Sequence, residues 1–382
     1  MRIMPGAMLG VLGGGQLGRM FVQAAQQMGY RVTVLDPAID SPAGQIADDF
    51  VCADYSDSAA LQKLGNQCAA VTTEFENIPA ESLHKLVQSC IVKPDAHCVA
   101  IAQNRVLEKQ FLVANGFSVA PFAIVAQPQD LTAQDVAQLL PGILKVSQFG
   151  YDGKGQMPVV NSDELTAAHE QLNHAVCVLE KFLPLKRELS VVVARGNDGL
   201  LQTFPVAENQ HINGILDISI VPARVTSKLA QQAQDMACQV AVKLNYQGVL
   251  CVEFFVLQDD TLLINEIAPR PHNSGHYSIN ACITSQFEQQ VRTLCGLPLG
   301  ATTQHSAAVM VNLLGDLWRN GKPDWHRVLQ HPSAKLHLYG KNAAHPGRKM
   351  GHYTVLSTEL DSALREAIHI KKQLEHHRIQ NL

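Results

Sequence analysis

The chain has 382 residues, 46% hydrophobic and 17% charged, with a formal net charge of −4. Such a length calls for two or three domains, and such a composition excludes a disordered chain. A weakly negative protein without a long basic run is not built around nucleic acid, and no stretch approaches the roughly 18 apolar residues of a membrane span.

The N-terminus runs from Arg2 through Pro5 and Gly6 into a glycine loop and does not read as a signal peptide. A short strand ending near Leu12 precedes Gly13-x-Gly15-x-x-Gly18, after which Leu17, Met20, Phe21, Ala24 and Met28 recur at helical spacing and Gly29 offers a stop. "YRVTVLD" then predicts a second strand whose last residue, Asp36, stands where the dinucleotide fingerprint places its acid. Two readings stay open at this point. The glycines either bind a nicotinamide cofactor, making the chain an oxidoreductase, or only let the backbone turn tightly.

"CAAVTTEFENIPAESL", residues 68–83, predicts a strand running into a loop with Glu74, Glu76 and Asn77. One long helix is expected over residues 102–116, with Arg105 and Lys109 sharing a face. Strands follow in "VAPFAIV" and "PGILKVSQ", the second carrying Lys145 inside an apolar run, where a lysine requires an anionic partner. The glycine-rich segment from Gly150 to Gln156 reads as a hairpin-like loop and lacks the spacing of a P-loop. Two strand-like runs around Pro184 carry Glu180 and Glu188, Asn213-Gly214 marks a turn beyond His211, and a helix is predicted near 227–244. Nine cysteines, an odd number without a C-x-x-C pair, fit reduced thiols in a cytoplasmic protein and give no zinc motif.

The segment "VLCVEFFVLQDDTLLINEIAP" predicts a hairpin turning at Asp259-Asp260. That register sets Glu253 opposite Glu266 among apolar neighbours, where like charges repel unless a cation lies between them. Paired carboxylates of this kind suit Mg²⁺ held together with substrate phosphates. The alternative is a different register with both acids facing water. Arg270, His272, Asn273, Ser274 and His276 follow in a loop stiffened by Pro269 and Pro271, a pattern for a polar or phosphate ligand.

Lys145, "GYDGKGQ", "LEKF" and Glu253 with "NEIAPRPHNSGH" together resemble the ATP-grasp ligases, and specifically the 5-(carboxyamino)imidazole ribonucleotide synthase family of purine biosynthesis. "GGGQLGRM", "TTEFENIP", "AENQHINGIL" and "YGKNAAHPGRKMGH" stand in that family's order, so the resemblance spans nearly the whole chain. It implies an α/β fold, α+β in the central domain: a Rossmann-like N-terminal domain over 1–104, an ATP-grasp domain over 105–300 with a mobile lid at about 117–183, and a small C-terminal domain over 301–382.

The resemblance further implies the site. ATP would meet Arg105, Lys145, the loop Gly150, Tyr151, Asp152, Gly153, Lys154, Gly155 and Gln156, then Glu180, Lys181, Phe182, Leu183, Glu188, His211, Asn265 and Glu266. Glu253 and Glu266 match metal ligands for Mg²⁺ or Mn²⁺. The ribonucleotide would meet Gly15, Gln16, Leu17, Glu76, Tyr151, Asp152, Lys154, Arg270, His272, Asn273, Ser274, Lys341 and Arg348, with Glu74 as the rival to Glu76. Asp152, Arg270, Lys341 and Arg348 would be catalytic, Asp152 as acceptor of the amine proton. Asn104 departs from the aspartate frequent in the family. The implied reaction joins bicarbonate to 5-aminoimidazole ribonucleotide with ATP, through carboxyphosphate, in a homodimer that uses only small-molecule substrates. Rival readings are another ATP-grasp purine ligase, such as formate-dependent glycinamide ribonucleotide transformylase, the NAD-binding oxidoreductase, and a catalytically silent nucleotide-binding regulator.

Overall fold

A computed structural model describes residues 2–148, 150 and 155–376. Among the described residues three sheets organise the chain. The first contains Met8–Leu12 (β1), Arg31–Asp36 (β2), Asp49–Cys52 (β3), Ala70–Thr73 (β4) and Ile91–Val92 (β5), all parallel in the order β3-β2-β1-β4-β5. The helix Gln16–Gln27 crosses from β1 to β2 as the apolar spacing predicts, and it stops where Gly29 takes φ 81°. Strand order reverses between β1 and β4, so a crevice opens at their carboxyl ends. The glycine loop and the Glu74–Asn77 loop both leave the sheet at that crevice.

The second sheet is antiparallel: Phe122–Val125 (β6), Gly142–Val146 (β7), Gln156–Val159 (β8) and Cys177–Lys181 (β9), in the order β6-β9-β7-β8. β7 and β8 pair antiparallel, Gly142 opposite Val159 and Lys145 opposite Gln156. Phe149 and Tyr151 to Lys154 lie outside the described residues.

The third and largest sheet holds Leu185–Arg195 (β10), Leu201–Thr203 (β11), Ala207–Ile212 (β12), Ile215–Val221 (β13), Gly248–Leu257 (β14), Leu262–Ala268 (β15), Ala307–Leu314 (β16), Ala334–Leu338 (β17) and Lys349–Ser357 (β18). Its order is β15-β14-β10-β12-β13-β16-β18-β17, with β11 alongside β10. Asn213 and Gly214, at φ 52° and 76°, form the two-residue turn between β12 and β13. The helix Ser227–Lys243 buries Leu229, Ala233, Ala237 and Val240 against β10 and β14. The C-terminal strands are continuous with this sheet, because β16 pairs with β13. The helix Leu360–His376 covers them with Ala363, Ala367, Ile370 and Leu374. All nine cysteines are free thiols.

One predicted element is corrected. The single helix over 102–116 is two helices, Ala96–Gln103 and Arg105–Ala114, broken at Asn104. Asn104 leaves helical geometry at φ −126°, and its Oδ1 accepts the N–H groups of Val106 and Leu107 as an N-cap. A short amide side chain competes with the helix for its own backbone, so it starts a helix better than it continues one. An aspartate in its place would accept the same two bonds.

Candidate active site

The glycine loop is closed by the protein's own acids. Gly14 N–H donates to Asp36 Oδ2 at 2.6 Å, and Gly15 and Gly18 N–H donate to the two oxygens of Glu74, each at 2.6 Å. Asp36 also accepts from Ala38 N–H and from the Tyr55 hydroxyl. A Cβ at Gly13 or Gly15 would overlap the Glu74 side chain, and Gly13 has φ 103° besides. The glycines therefore serve the approach of a carboxylate. The helix N-terminus that would hold a pyrophosphate, and the acid that would hold a ribose, are both engaged, which removes the basis of the nicotinamide reading.

The same contacts separate Glu74 from Glu76. Burial pushes the Glu74 carboxyl up to about 7, with Gly18 and Gly15 N–H opposing the rise. Gly15, expected at the ribonucleotide, gives its N–H to this group. Gln16 and Leu17 keep theirs in the first helical turn, where no intrahelical acceptor exists. Glu76 instead meets Arg270 through both guanidinium edges, Nε to Oε2 and Nη2 to Oε1. Burial opposes the Glu76 charge, but Arg270 outweighs it and holds the carboxyl at about 2. Replacing Glu74 with Gln should leave one glycine N–H facing an NH₂ group. Urea unfolding should then show a loss of about 1–3 kcal/mol, the cost of an unsatisfied buried donor; an unchanged midpoint would separate Glu74 from loop stability.

Glu253 and Glu266 are direct cross-strand partners, as the hairpin register predicts. The route differs from the simple hairpin. The turn brings Leu257 against Thr261 and pairs Phe254 with Ile264, and a bulge at Asn265 then restores the Glu253–Glu266 pairing. A bulge inserts one residue and re-aims its side chain. Asn265 Oδ1 is buried without a hydrogen-bond partner. Glu266 Oε2 lies 3.0 Å from Arg105 Nη1, and Glu253 Oε1 lies 3.0 Å from His272 Nε2. Burial opposes the Glu253 charge, which His272 and His211 hold at about 2. At His272 burial opposes a second ring proton, but Cys251 and Glu253 outweigh it and push the imidazole up to about 10.

The loop after β15 continues this face. His272 caps the short turn Asn273–Gly275, accepting the Ser274 N–H. Asn273 is buried with neither polar atom of its amide bonded, and Ser274 is fully enclosed. Facing them, the C-terminal segment reaches back to the first helix. Lys341 Nζ donates to Gln16 Oε1 at 2.6 Å, and its ammonium stands 5.7 Å from the Tyr339 ring centroid. Leu17 packs in the cluster of Met20, Phe287 and Tyr339. Arg348 is tied into its own loop, Nη1 to Ala343 O at 2.7 Å.

On the other side stands a buried charge cluster. Lys145 Nζ lies 2.9 Å from Glu180 Oε2, and Lys109 Nζ lies 3.2 Å from Oε1 of the same carboxylate. Lys109 also donates to Asn265 O at 3.0 Å, joining the cluster to the bulge. Burial opposes the Glu180 charge, yet Lys145 and Lys109 hold the carboxyl at about 2. Arg105, Lys109 and Lys145 thus face Glu180 and Glu266, leaving one positive charge in surplus. Glu108, pushed up to about 8 by burial and by Glu266, does not cancel it at neutral pH. Beyond Glu180, Lys181 ends β9 exposed, and in the link to β10 Phe182 is exposed and Leu183 half-buried. Glu188 Oε2 stands 3.1 Å from His211 Nδ1. Gln156 pairs with Lys145 across the hairpin, Gly155 takes φ 69° against Val146, and Gly150 is half-buried. Tyr151, Asp152, Gly153 and Lys154 lie outside the described residues.

Sequence reasoning missed three features: the loop-closing roles of Asp36 and Glu74, the second lysine on Glu180, and a row of polar side chains beneath His272. The first had a readable signal, since both acids stand at the carboxyl ends of strands that flank β1. Lys109 was visible only as the neighbour of Arg105 on a helix face.

A parallel sheet feeding a glycine-supported crevice, a four-stranded antiparallel sheet carrying a buried lysine, and paired carboxylates on the adjoining large sheet define an ATP-grasp enzyme. Family models agree: residues 7–103 match the ribonucleotide synthetase preATP-grasp domain, 110–287 the ATP-grasp domain, and 308–366 the phosphoribosylaminoimidazole carboxylase C-terminal domain. The N5-carboxyaminoimidazole ribonucleotide synthase of Bacillus subtilis is 46% identical over 365 residues, 95% of each chain. The chain belongs to the N5-carboxyaminoimidazole ribonucleotide synthase family. A crystal structure of such a synthetase with ADP superposes with a TM-score of 0.91 at 42% identity, covering 98% of this chain and 99% of that one. The Aspergillus clavatus enzyme in complex with ADP and 5-aminoimidazole ribonucleotide superposes at 0.88 with 32% identity, covering 97% and 99%.

Proposed function

We propose that the protein carboxylates 5-aminoimidazole ribonucleotide with bicarbonate, using ATP and releasing ADP and phosphate, in de novo purine synthesis. The observation that carries this reading is the likeness, over almost the full length, to an enzyme crystallised with ADP and that ribonucleotide. Bicarbonate is a poor electrophile, and phosphorylation to carboxyphosphate makes its carbon open to attack by the substrate amine. The surplus positive charge of Arg105, Lys109 and Lys145 suits the ATP phosphates and the charge that develops on the transferring phosphoryl group. Lys181, Phe182 and Leu183 offer the adenine an exposed edge, and Glu188 beside His211 offers the ribose an acceptor.

Two carboxylates on one sheet face and the unbonded Asn265 oxygen form an oxygen-only donor set, which fits Mg²⁺ or Mn²⁺. No three His, Cys, Asp or Glu side chains cluster as a metal site among the described residues, so substrate oxygens would complete the coordination. A cation held by Glu253 and Glu266 would supply charge neutralisation at the phosphates. Arg270, oriented by Glu76, suits bicarbonate or its phosphorylated form. Asn273 offers the ribonucleotide an amide with both ends unsatisfied, and Lys341 and Arg348 bring positive charge from the C-terminal segment. The enzyme works in the cytoplasm as a homodimer on this reading; no helix among the described residues is long and apolar enough to cross a membrane.

The test is ADP release from Mg-ATP with bicarbonate and the ribonucleotide added separately and together. Turnover that requires the ribonucleotide and rises with bicarbonate is expected. Turnover with formate in place of bicarbonate would move the assignment to a formyl-transferring ligase, and silence in every combination from folded protein would end it.

A further inference from the structure

One helix joins the two loops that enclose the crevice. Gln286–Leu294 begins at Ser285, whose Oγ accepts the Glu288 N–H at 3.1 Å, and it packs Val291 and Leu294 into the core beneath the first sheet. A helix in water turns its glutamines outward. Here Gln286 and Gln289 are fully buried and Gln290 nearly so, three long amides that need hydrogen bonds to offset their burial. Each finds them in a different segment of the chain.

Gln286 grips the loop after β15. Its Oε1 accepts the His272 N–H at 2.9 Å, and its Nε2 donates to the His272 carbonyl at 2.8 Å. An amide that meets both backbone groups of one residue has a single orientation and pairs as a neighbouring strand would. The same NH₂ stands 3.1 Å from His276 Nδ1. The Gln286 backbone N–H donates to Ser278 Oγ at 3.0 Å, and that hydroxyl donates to Gly275 O at 2.6 Å. A Cβ at Gly275 would overlap Gln286 Oε1, so the glycine makes room for the clamp. Gln289 holds Gly300 in the same two-way manner: the Gly300 N–H donates to its Oε1 at 3.0 Å, and its Nε2 donates to Gly300 O at 2.6 Å. That clamp fixes the helix itself. Gln290 reaches the first sheet, where its Nε2 donates to Thr72 Oγ1 at 3.1 Å and to Thr73 O at 3.3 Å, at the end of β4.

Four residues apart, Gln286 and Gln290 share one helix face and are separated by about 6 Å of rise. His272 stands two residues after Arg270, and Thr73 stands three before Glu76. We infer that Gln286 and Gln290 are positioning residues that set the spacing of these two loops, so that Arg270 meets Glu76 across the crevice and the ribonucleotide site takes its shape. The inference rests on the proposed carboxylation for its kinetic consequence, but not for its structural one. Both side chains are enclosed and bonded to protein groups, so any effect on a substrate passes through the loops they hold. Arg270 and Glu76 have long side chains that can meet over a range of loop separations. Two clamps on one rigid helix turn select a single separation.

Gln286→Met keeps an unbranched side chain of similar length and removes both ends of the clamp. In that variant kcat/KM for the ribonucleotide should fall about tenfold, as when a substrate-positioning loop is displaced. KM for ATP and the calorimetric affinity for ADP should stay within about twofold. Hydrogen exchange read by mass spectrometry should quicken about tenfold over residues 270–277 and stay unchanged over Gln16–Gln27. Should Gln286→Met not fold, Gln290→Met releases the other end and should give the same kinetic split, with faster exchange over residues 72–77. A lower urea midpoint with an unmoved ratio of the two KM values would make the glutamines structural only and overturn the inference. An equal rise in both KM values, or unprotected amides over 270–277 in the wild type, would overturn it too. Absence of ADP release by the wild type would defeat the proposed reaction, while the exchange data still decide the clamp.

Discussion

Glu266→Gln is expected to lower kcat for ADP release by about 10²–10³-fold, the usual loss when one preorganised charge-stabilising group leaves a phosphoryl-transfer site. The substitution keeps the shape of the side chain and removes its charge. In the resting protein that charge faces Arg105 at 3.0 Å and the Glu253 carboxylate across the strand pair. Its side chain is 35% exposed, so the ion pair itself contributes little to stability, about 0–1 kcal/mol. The urea midpoint should hardly move while turnover collapses. If the two carboxylates hold the proposed cation, removal of one should also shift the activity of the variant to higher Mg²⁺ concentration. A kcat within about threefold of wild type would detach Glu266 from phosphoryl transfer, and an unshifted Mg²⁺ dependence would remove it from the cation site.

Glu180→Ala should be the most destabilising single change at the site, costing about 3–5 kcal/mol in urea unfolding, as when one partner leaves a buried ion pair. Lys109 has no exposed side-chain surface and Lys145 only 6%, so both ammonium groups would lose their counter-ion without gaining water. Glu180→Gln fills the same space, and a similar loss there would assign the effect to charge. The pH dependence has a definite sign. The Glu180 carboxyl is held at about 2, below its ordinary value of 4.5, so folding favours the ionised form. Its contribution is complete above about pH 4.5 and is lost as pH falls toward 2. The wild type should therefore lose stability across that window more steeply than Glu180→Ala. Equal acid limbs would show that the lysines do not depend on this carboxylate.

Local pattern made much of the molecule legible. Apolar spacing around Leu17 and Phe21 gave the first helix, Asn213-Gly214 the turn, and Lys145 within an apolar run the need for an anion. Local pattern failed at Asn104, where helix periodicity continues on both sides and only a side-chain bond to the next turn breaks it. It succeeded by compensation at the carboxylate pair. The hairpin turn shifts the register by one residue, and the bulge at Asn265 shifts it back. A bulge depends on how the strand meets the helix carrying Lys109, a contact between segments more than a hundred residues apart.

By itself the sequence determined the parallel and antiparallel units, the family, and which charged side chains had no reason to be buried unless paired. Periodicity, turn residues and motif order are properties of neighbours along the chain, and they survive without knowledge of packing. Partnership was decided only in three dimensions. Glu74 was assigned to the glycine loop and Glu76 to Arg270, although the two stand on one short loop with the same chemistry. Ser219, Asn209 and Ser190 bond in a buried row behind Ser274 only because β12 and β13 lie on one side of β10. A hydrogen bond or ion pair is set by angles and distances of a few ångströms between remote segments, and those are fixed when the sheets assemble.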